Sequence, residues 1–434
     1  MKTWLKPGNL VLYALLILPL LIAFPRLLSH WDSGTAGMLR AVGIGAGLLG
    51  MSMMLVAASL SVRLPWLDRW FGGLPHMWLI HRGLGFGAFV LILVHALILG
   101  LAAMPAGLSA SLSTMFPPLD NWPVWMGWLA LISMVIFLGP TFQFFGRPPH
   151  YQRWKKLHLV SAVATVFALL HLFPLAREFW LWVLLAVLAI GAIVWRKGLS
   201  PSLGRYEYEV TGVEELVRGV VEIRLKPKGK KMHYEAGQFV YLTPMDSSLS
   251  AGRNEEHPYT IASQPDDDEL RIGIKALGDA SAALQTVTVG TKAYVEGPYG
   301  DFYDRHFPDR KQLWLAGGIG VTPFVSGARA MQAGQFSEGD DAHLVYLAND
   351  NQRAYYLDDL IAMGDATEQL TVTPHYYRQE GPLSAEFLRK HCPDFEEREI
   401  YMCGPPGMTS HLKKMLTDCG VPKSRIHSEA FDFL

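Results

Sequence analysis

Cysteine is scarce in this chain. Only Cys392, Cys403 and Cys419 occur among 434 residues, with no C-x-x-C pair. That argues against a disulfide scaffold, a zinc ribbon and a cysteine-held iron–sulfur cluster. The absence of C-x-x-C-H excludes a covalently attached c-type haem. Excess charge is also missing. The 38 Lys and Arg residues stand against 39 Asp and Glu, so there is no basic footprint for nucleic acid. No EF-hand loop is present, which argues against direct calcium control. Acidic residues are missing from the interiors of the long apolar runs in residues 1–200. A transporter with carboxylates at mid-membrane is disfavoured for that reason.

What fills residues 1–200 is apolar sequence in pieces long enough to cross a bilayer. We read six spans: 8–28, 38–62, 76–102, 121–145, 151–173 and 178–196. The first follows Lys2 and Lys6 as a secretory leader would. It is too long for one and lacks a small-x-small cleavage site, so we expect a retained span. Lys and Arg gather in alternate loops: Arg63 and Arg69, then Arg147, Arg153, Lys155 and Lys156, then Arg196 and Lys197. The positive-inside rule then predicts a multi-pass protein of the plasma (inner) membrane with both termini cytoplasmic.

Two of these spans carry paired histidines. His81 and His95 lie in HRGLGFGAFVLILVHALILG; His158 and His171 lie in HLVSAVATVFALLHLF. Ionisable groups in hydrocarbon are costly and need a partner or a task. Neutral imidazole ligates iron well, and two imidazoles hold a haem from both faces. Spans three and five run in the same direction. His81 is therefore expected to pair with His158 around one haem b, and His95 with His171 around a second. The fourteen residues from His81 to His95 cover about 21 Å of helix and return to within about 40° of the same face. The thirteen from His158 to His171 miss alignment by about 140° on an ideal helix, so a tilt or a local distortion is required there. The bland alternative is interhelical hydrogen bonding without metal. His76 and His150 are rival inner ligands, but each adjoins a proline at a helix entrance and reads as interfacial. Arg82, Arg153, Lys155 and Lys156 are candidates for haem propionates at the inner site, and Arg40 at the outer.

From about Arg205 the pattern turns to short alternating strands with Gly and Pro turns, which predicts a small antiparallel barrel. HPYTIAS (257–263) places an aromatic and hydroxyls on one of these strands. After residue 310, KQLWLAGGIGVTPFVSGARAM reads as strand, glycine turn and helix, the arrangement that cradles a pyrophosphate. Further strands follow, the last ending in MCGPPGM. The fold class expected is a six-helix transmembrane bundle (1–200), an antiparallel β-barrel (203–308) and an α/β nucleotide-binding domain (309–434).

With HPYTIAS, VEGPYG, AGGIGVTPF and MCGPPGM in that order behind the four histidines, the chain resembles the NADPH oxidase and ferric reductase superfamily. In that family a di-haem membrane domain is fused to a ferredoxin–NADP reductase-like module. The resemblance implies roles residue by residue. Tyr259 stacks on the flavin of FAD and Thr260 lies near its reactive edge, while His257, Pro258 and Ser263 shape the site. Lys275 and Ser281 approach the FAD phosphates. Gly317, Gly318, Gly320, Thr322 and Pro323 hold NADPH or NADH. Cys403, Gly404 and Pro405 lie near the nicotinamide, and a C-terminal aromatic, Phe431 or Phe433, covers the flavin. We prefer Phe431. Thr260, Cys403 and Phe431 are thus the candidate catalytic residues. The implied activity carries electrons from cytoplasmic NAD(P)H through FAD and two haems to dioxygen or a ferric chelate outside. The alternative is a membrane subunit that feeds a periplasmic redox protein; the fused flavin module argues against it. Two departures stand out. Asn349 and Asp350, with Arg353 later, replace the basic residue expected for a 2′-phosphate, and Leu99 stands where some oxidases have a further histidine.

Overall fold

The computed structural model describes residues 6–31, 33–141, 151–177, 179–303, 311–337 and 339–428. Its contacts divide the chain into two units. Of the described residues, the first holds those up to Arg63 and those within His76–Pro201; the second holds Leu64–Pro75 and those from Ser202 onward.

The first unit is helical: α1 (Pro7–Trp31), α2 (Gly34–Ser59), α4 (Leu74–Ala103), α5 (Leu108–Met115), α6 (Trp122–Leu138), α7 (Tyr151–Leu157), α8 (Val160–Leu172), α9 (Phe179–Val194) and the short α10 (Ser200–Leu203). Among the described residues, six stretches are long and apolar enough to cross a membrane: Pro7–Trp31, Gly34–Ser59, Leu74–Ala106, Trp122–Thr141, Arg153–Leu172 and Phe179–Leu203. These coincide with the six runs read from the sequence. Their outer faces expose Leu, Ile, Val and Phe, as a lipid-facing surface does.

The fifth span is interrupted at one of its histidines. His158 and Leu159 form a turn between α7 and α8. Backbone bonds there run Leu159 N–H to Lys156 O, Ser161 N–H to His158 O and Ala162 N–H to Leu159 O. These are i→i−3 bonds, which turn the chain about 120° per residue instead of 100°. The tightening recovers part of the angular deficit between His158 and His171, so the distortion required by the spacing lies at the first of the two residues.

The second unit holds two sheets. Strands β1 (Tyr206–Val217), β2 (Val220–Pro227), β3 (Phe239–Pro244), β4 (His257–Thr260), β5 (Leu270–Lys275) and β6 (Lys292–Tyr299) form an antiparallel sheet in the order β4-β3-β6-β1-β2-β5. An isolated bridge between Ile261 and Ile272 joins the two edges, so the sheet curls on itself around Val240, Ile223, Ile272 and Val295. The helix α11 (Asp279–Ala283) follows β5. Strands β7 (Lys311–Gly317), β8 (Asp341–Ala348), β9 (Leu370–Tyr376), β10 (Glu399–Cys403) and β11 (Ile426–Ser428) form a parallel sheet in the order β11-β10-β7-β8-β9. Helices α12 (Thr322–Gln332), α13 (Leu357–Ala366), α14 (Tyr377–Glu380), α15 (Ala385–His391) and α16 (Pro406–Asp418) lie between its strands.

Along β7, Trp314 and Ala316 enter one core with Phe324 and Leu360; Leu313 and Leu315 enter another with Leu388 and Leu412. Both faces of the sheet are covered, as a parallel sheet requires. The helical bundle, the barrel and the α/β sheet are the fold class expected from the sequence.

A seven-residue helix, α3 (Pro65–Phe71), belongs to this second unit although it lies in the chain between two spans. It buries Asp68 and Phe71. The Gly300 N–H, at the end of the VEGPYG motif, donates to the Asp68 carboxylate at 2.9 Å, and Arg69 pairs with Glu235 at 2.9 Å.

Burial pushes the Asp68 carboxyl up to about 7, with Asp301 nearby acting in the same direction. The hydrogen bonds from Gly300 and Leu74 and the Arg69 charge oppose that rise without cancelling it. The unfolded chain ionises near 3.8, before the folded one. The folded unit therefore carries its full stability below about pH 4 and loses some as pH rises towards about 7. The gap is worth on the order of 4 kcal/mol. Asp68→Asn is expected to match the parent near pH 4 and to melt higher than it at pH 8. Parallel thermal melts across that range check the crossover; identical pH profiles would contradict it.

Candidate functional site

The four span histidines come together in the pairs their depths predict. The His81 and His158 ring centres are 6.1 Å apart with planes turned by 63°. Those of His95 and His171 are 6.3 Å apart and turned by 74°. Three of the rings are aimed by backbone carbonyls. His81 Nδ1 lies 2.7 Å from Ala57 O, His95 Nδ1 2.8 Å from Gly43 O, and His171 Nδ1 2.8 Å from Pro123 O. A carbonyl only accepts, so Nδ1 carries the proton in each and Nε2 keeps its lone pair. Ala57 and Gly43 stand fourteen residues apart on α2, as do His81 and His95 on the antiparallel α4. One helix thereby orients both histidines of another. His158 differs: its Nδ1 is buried without a hydrogen-bond partner among the described residues, and its ring stacks on Trp154 at 4.9 Å.

Two glycines make room for the outer pair. A Cβ on Gly47 would stand 2.5 Å from His95 Nδ1, and one on Gly127 would stand 2.9 Å from His171 Nδ1. Neither was among the residues read from the sequence. Their signal was glycine within apolar spans, which lets neighbouring elements approach closely. Arg82 follows His81 on α4 and is exposed, as is Arg40 on α2. His76 lies in the first turn of α4. His150 falls outside the described residues.

In the barrel, β4 carries His257, Pro258, Tyr259 and Thr260, all half-buried. His257 Nε2 lies 3.3 Å from a Glu255 carboxylate oxygen. Burial holds the Tyr259 hydroxyl well above its ordinary value, so it stays protonated. Ser263 is wholly enclosed. Its hydroxyl meets the Tyr234 hydroxyl at 2.7 Å and accepts from Arg271 N–H at 3.0 Å, so Ser263 braces the strand from behind. Ser281 is engaged in the first turn of α11, where its hydroxyl accepts from Leu277 N–H and Gly278 N–H.

In the α/β sheet, the chain leaves β7 towards β8 and β9 on one side, while β10 and β11 return on the other. The crevice at the carboxyl ends of β7 and β10 is therefore a topological switch point, where open α/β sheets bind ligands. The two glycine turns meet there. A Cβ on Gly320 would stand 2.5 Å from Cys403 O, and one on Gly404 would stand 3.1 Å from Gly317 Cα. Gly318 holds φ +55°, a conformation that favours glycine. Thr322 donates to Ile319 O, closing the turn into α12, where Pro323 occupies the first helical turn.

Cys403 ends β10 and is buried in the core beside this turn. Gly317, Gly318, Pro405 and Lys275 line a cleft with Asn349, Arg353, His375, Tyr377 and Met408. Lys275, which the sequence reading set near the FAD phosphates, shares this cleft with the glycine turn. The sequence reading also missed His375, near the carboxyl end of β9, and Tyr377, the first residue of α14. Arg378, next in the chain, pairs with Asp350 at 2.8 Å. Phe431 and Phe433 fall outside the described residues.

A single helix ties these two halves. Ser326, on α12, donates to Ser263 O at 2.7 Å, and Arg329 donates to Ala262 O at 3.0 Å. Arg329 also reaches Glu222 on β2 at 3.4 Å. The helix that begins at the glycine turn therefore grips the end of the HPYTIAS segment.

Comparison with known proteins agrees with this division. A ferric reductase like transmembrane component matches residues 46–169, an FAD-binding domain 206–303, and an oxidoreductase NAD-binding domain 314–414. The reductase component of propane 2-monooxygenase from Mycolicibacterium goodii is 27% identical over 239 residues, covering 51% of this chain and 66% of its own. Dual oxidase 2 of Rattus norvegicus is 24% identical over 273 residues, covering 50% and 18%. This chain thus spans less than two thirds of either relative. The FAD/NAD-binding domain of a nitric oxide dioxygenase from Vibrio cholerae O1 biovar El Tor superposes with TM-score 0.46 at 22% identity, over 52% of this chain and 98% of that one. Apolar helices with a ferric-reductase match, followed by FAD- and NAD-binding domains in this order, give the chain the NADPH oxidase/ferric reductase arrangement.

Proposed function

We propose that this oxidoreductase carries electrons from cytoplasmic NAD(P)H across the plasma membrane to dioxygen or a ferric chelate on the outer face. The observation that supports this most is the spacing of the two histidine pairs. An imidazole nitrogen lies about 2 Å from a bound metal, so two rings on opposite sides of one ion have centres roughly 6 Å apart. The pairs stand at 6.1 and 6.3 Å. Three of the four also have Nδ1 committed to a carbonyl, which fixes the ring and leaves Nε2 for a metal.

His81 with His158, and His95 with His171, would each hold one haem b. Arg82 is the candidate partner for the inner propionates. Tyr259 and Thr260 would hold the flavin ring, with His257 and Pro258 beside it and Ser263 bracing the strand. Gly317, Gly318, Gly320, Thr322 and Pro323 would admit the dinucleotide pyrophosphate to the start of α12. Cys403, Gly404 and Pro405 would face the nicotinamide. Lys275, in the cleft, is set to meet phosphate charge. When bound, FAD exchanges electron pairs for single electrons, and b-type haems carry single electrons through the bilayer. With a histidine of this chain on each side, such an iron would be closed to the acceptor, which would take its electron without binding the metal.

The test is the visible spectrum of protein purified after expression with ample haem. Soret absorption amounting to two haems per flavin is the expected result. Flavin absorption alone would refute the reading. Superoxide dismutase-sensitive reduction of cytochrome c would then mark dioxygen as the acceptor, and activity with ferric chelate alone would mark iron.

A further inference from the structure

We propose that the two indoles of α3, Trp66 and Trp70, sit in the headgroup layer of the lipid bilayer and anchor the flavin-side unit to the membrane surface. The helix has two unlike faces. One is docked: Asp68 and Phe71 are buried, Asp68 receives the Gly300 N–H, and Arg69 pairs with Glu235. The other face is aromatic and bare. Trp66 is 58% exposed and Trp70 49%, and their rings meet edge to face at 6.0 Å. Residues four apart share a helix face, so the indoles form one patch.

The covalent chain decides what covers that patch. Only Leu60–Leu64 separate α3 from the end of the second span, and only Gly72 and Gly73 separate it from Leu74, where the third begins. Five extended residues reach at most about 17 Å, and two reach about 7 Å. The interfacial layer on each side of the hydrocarbon is roughly 5–8 Å thick. A helix tethered so briefly at both ends to lipid-crossing segments is held at the bilayer face. Tryptophan suits that layer: its ring is apolar and its N–H still finds water or a headgroup. An aromatic pair bare to bulk water would have no such compensation. The proposal rests on the membrane spans alone and is independent of haem, acceptor and nucleotide.

The experiment places the full chain in nanodiscs of phosphatidylcholine with phosphatidylglycerol. A nitroxide is attached at Trp66→Cys or Trp70→Cys in a Cys419→Ser background, since Cys392 and Cys403 are buried. A third label, at Leu277→Cys, reports a residue 76% exposed after β5. Power-saturation electron paramagnetic resonance then compares access for oxygen with access for a water-soluble nickel chelate. The α3 labels are expected to favour oxygen several-fold, and the Leu277 label the nickel complex. Nickel access at the α3 sites equal to that at Leu277, or no access for either reagent, would overturn the proposal. Trp66→Phe with Trp70→Phe gives a second reading without cysteine. It should lose tryptophan emission that lipids brominated near the headgroup quench in the parent; unchanged quenchable emission would overturn the proposal as well.

Discussion

Replacing His95 by Leu is expected to stop transmembrane reduction while NAD(P)H-driven reduction of a soluble acceptor such as ferricyanide continues within about twofold of the parent. Leucine fills a similar volume but has no lone pair, and it cannot donate to Gly43 O as the His95 ring does. His171 would then face its site alone. Its own bond to Pro123 O is untouched, so the loss is confined to one ring and whatever that ring holds. Haem content should fall from two to one per chain by pyridine haemochrome assay. Proteoliposomes with NAD(P)H outside and acceptor trapped inside give the transmembrane rate. Full transmembrane activity in the variant would remove His95 from the electron path.

A second large effect is expected from Gly320→Ala. The added methyl would stand 2.5 Å from Cys403 O and 2.7 Å from Gly404 N, both backbone atoms that no side-chain rotation relieves. One of the two glycine turns must therefore move. Overpacking of this kind costs about 1–3 kcal/mol. If the movement falls on the dinucleotide turn, KM for NAD(P)H rises about tenfold or more, since about 1.4 kcal/mol is a factor of ten. Gly407→Ala is the control, because nothing lies within 4 Å of its added carbon. Steady-state kinetics with ferricyanide, alongside retained flavin fluorescence, separate a nucleotide defect from general unfolding. An unchanged KM would show that the turn does not carry the nucleotide.

These two positions illustrate what was legible in the chain. Gly320 stood in a strand–turn–helix pattern whose period changes sharply, and His95 stood alone as an ionisable group in hydrocarbon. Both signals are local. The pairing of His81 with His158 followed from counting spans, since equal depth needs no knowledge of packing. The break at His158 was visible only as a misfit of thirteen residues to a straight helix; its location required the backbone bonds. Gly47 and Gly127 were hidden because a glycine in a span has many uses, and only the neighbour's ring shows which applies. Asp68 was hidden for a different reason. One acid on a seven-residue helix has no periodicity, and its partner Gly300 lies far along the chain. Ser263 shows what a motif leaves unsaid. Its motif marked it as shaping the flavin site, and only the structure shows that its hydroxyl is held by Tyr234 and Arg271.

The grip of α12 on the carbonyls of Ala262 and Ser263 bears on how turnover is paced. If these segments hold the nucleotide and the flavin, one strut fixed to both resists their swinging open and shut against one another. Solvent viscosity is then expected to leave the first redox exchange untouched.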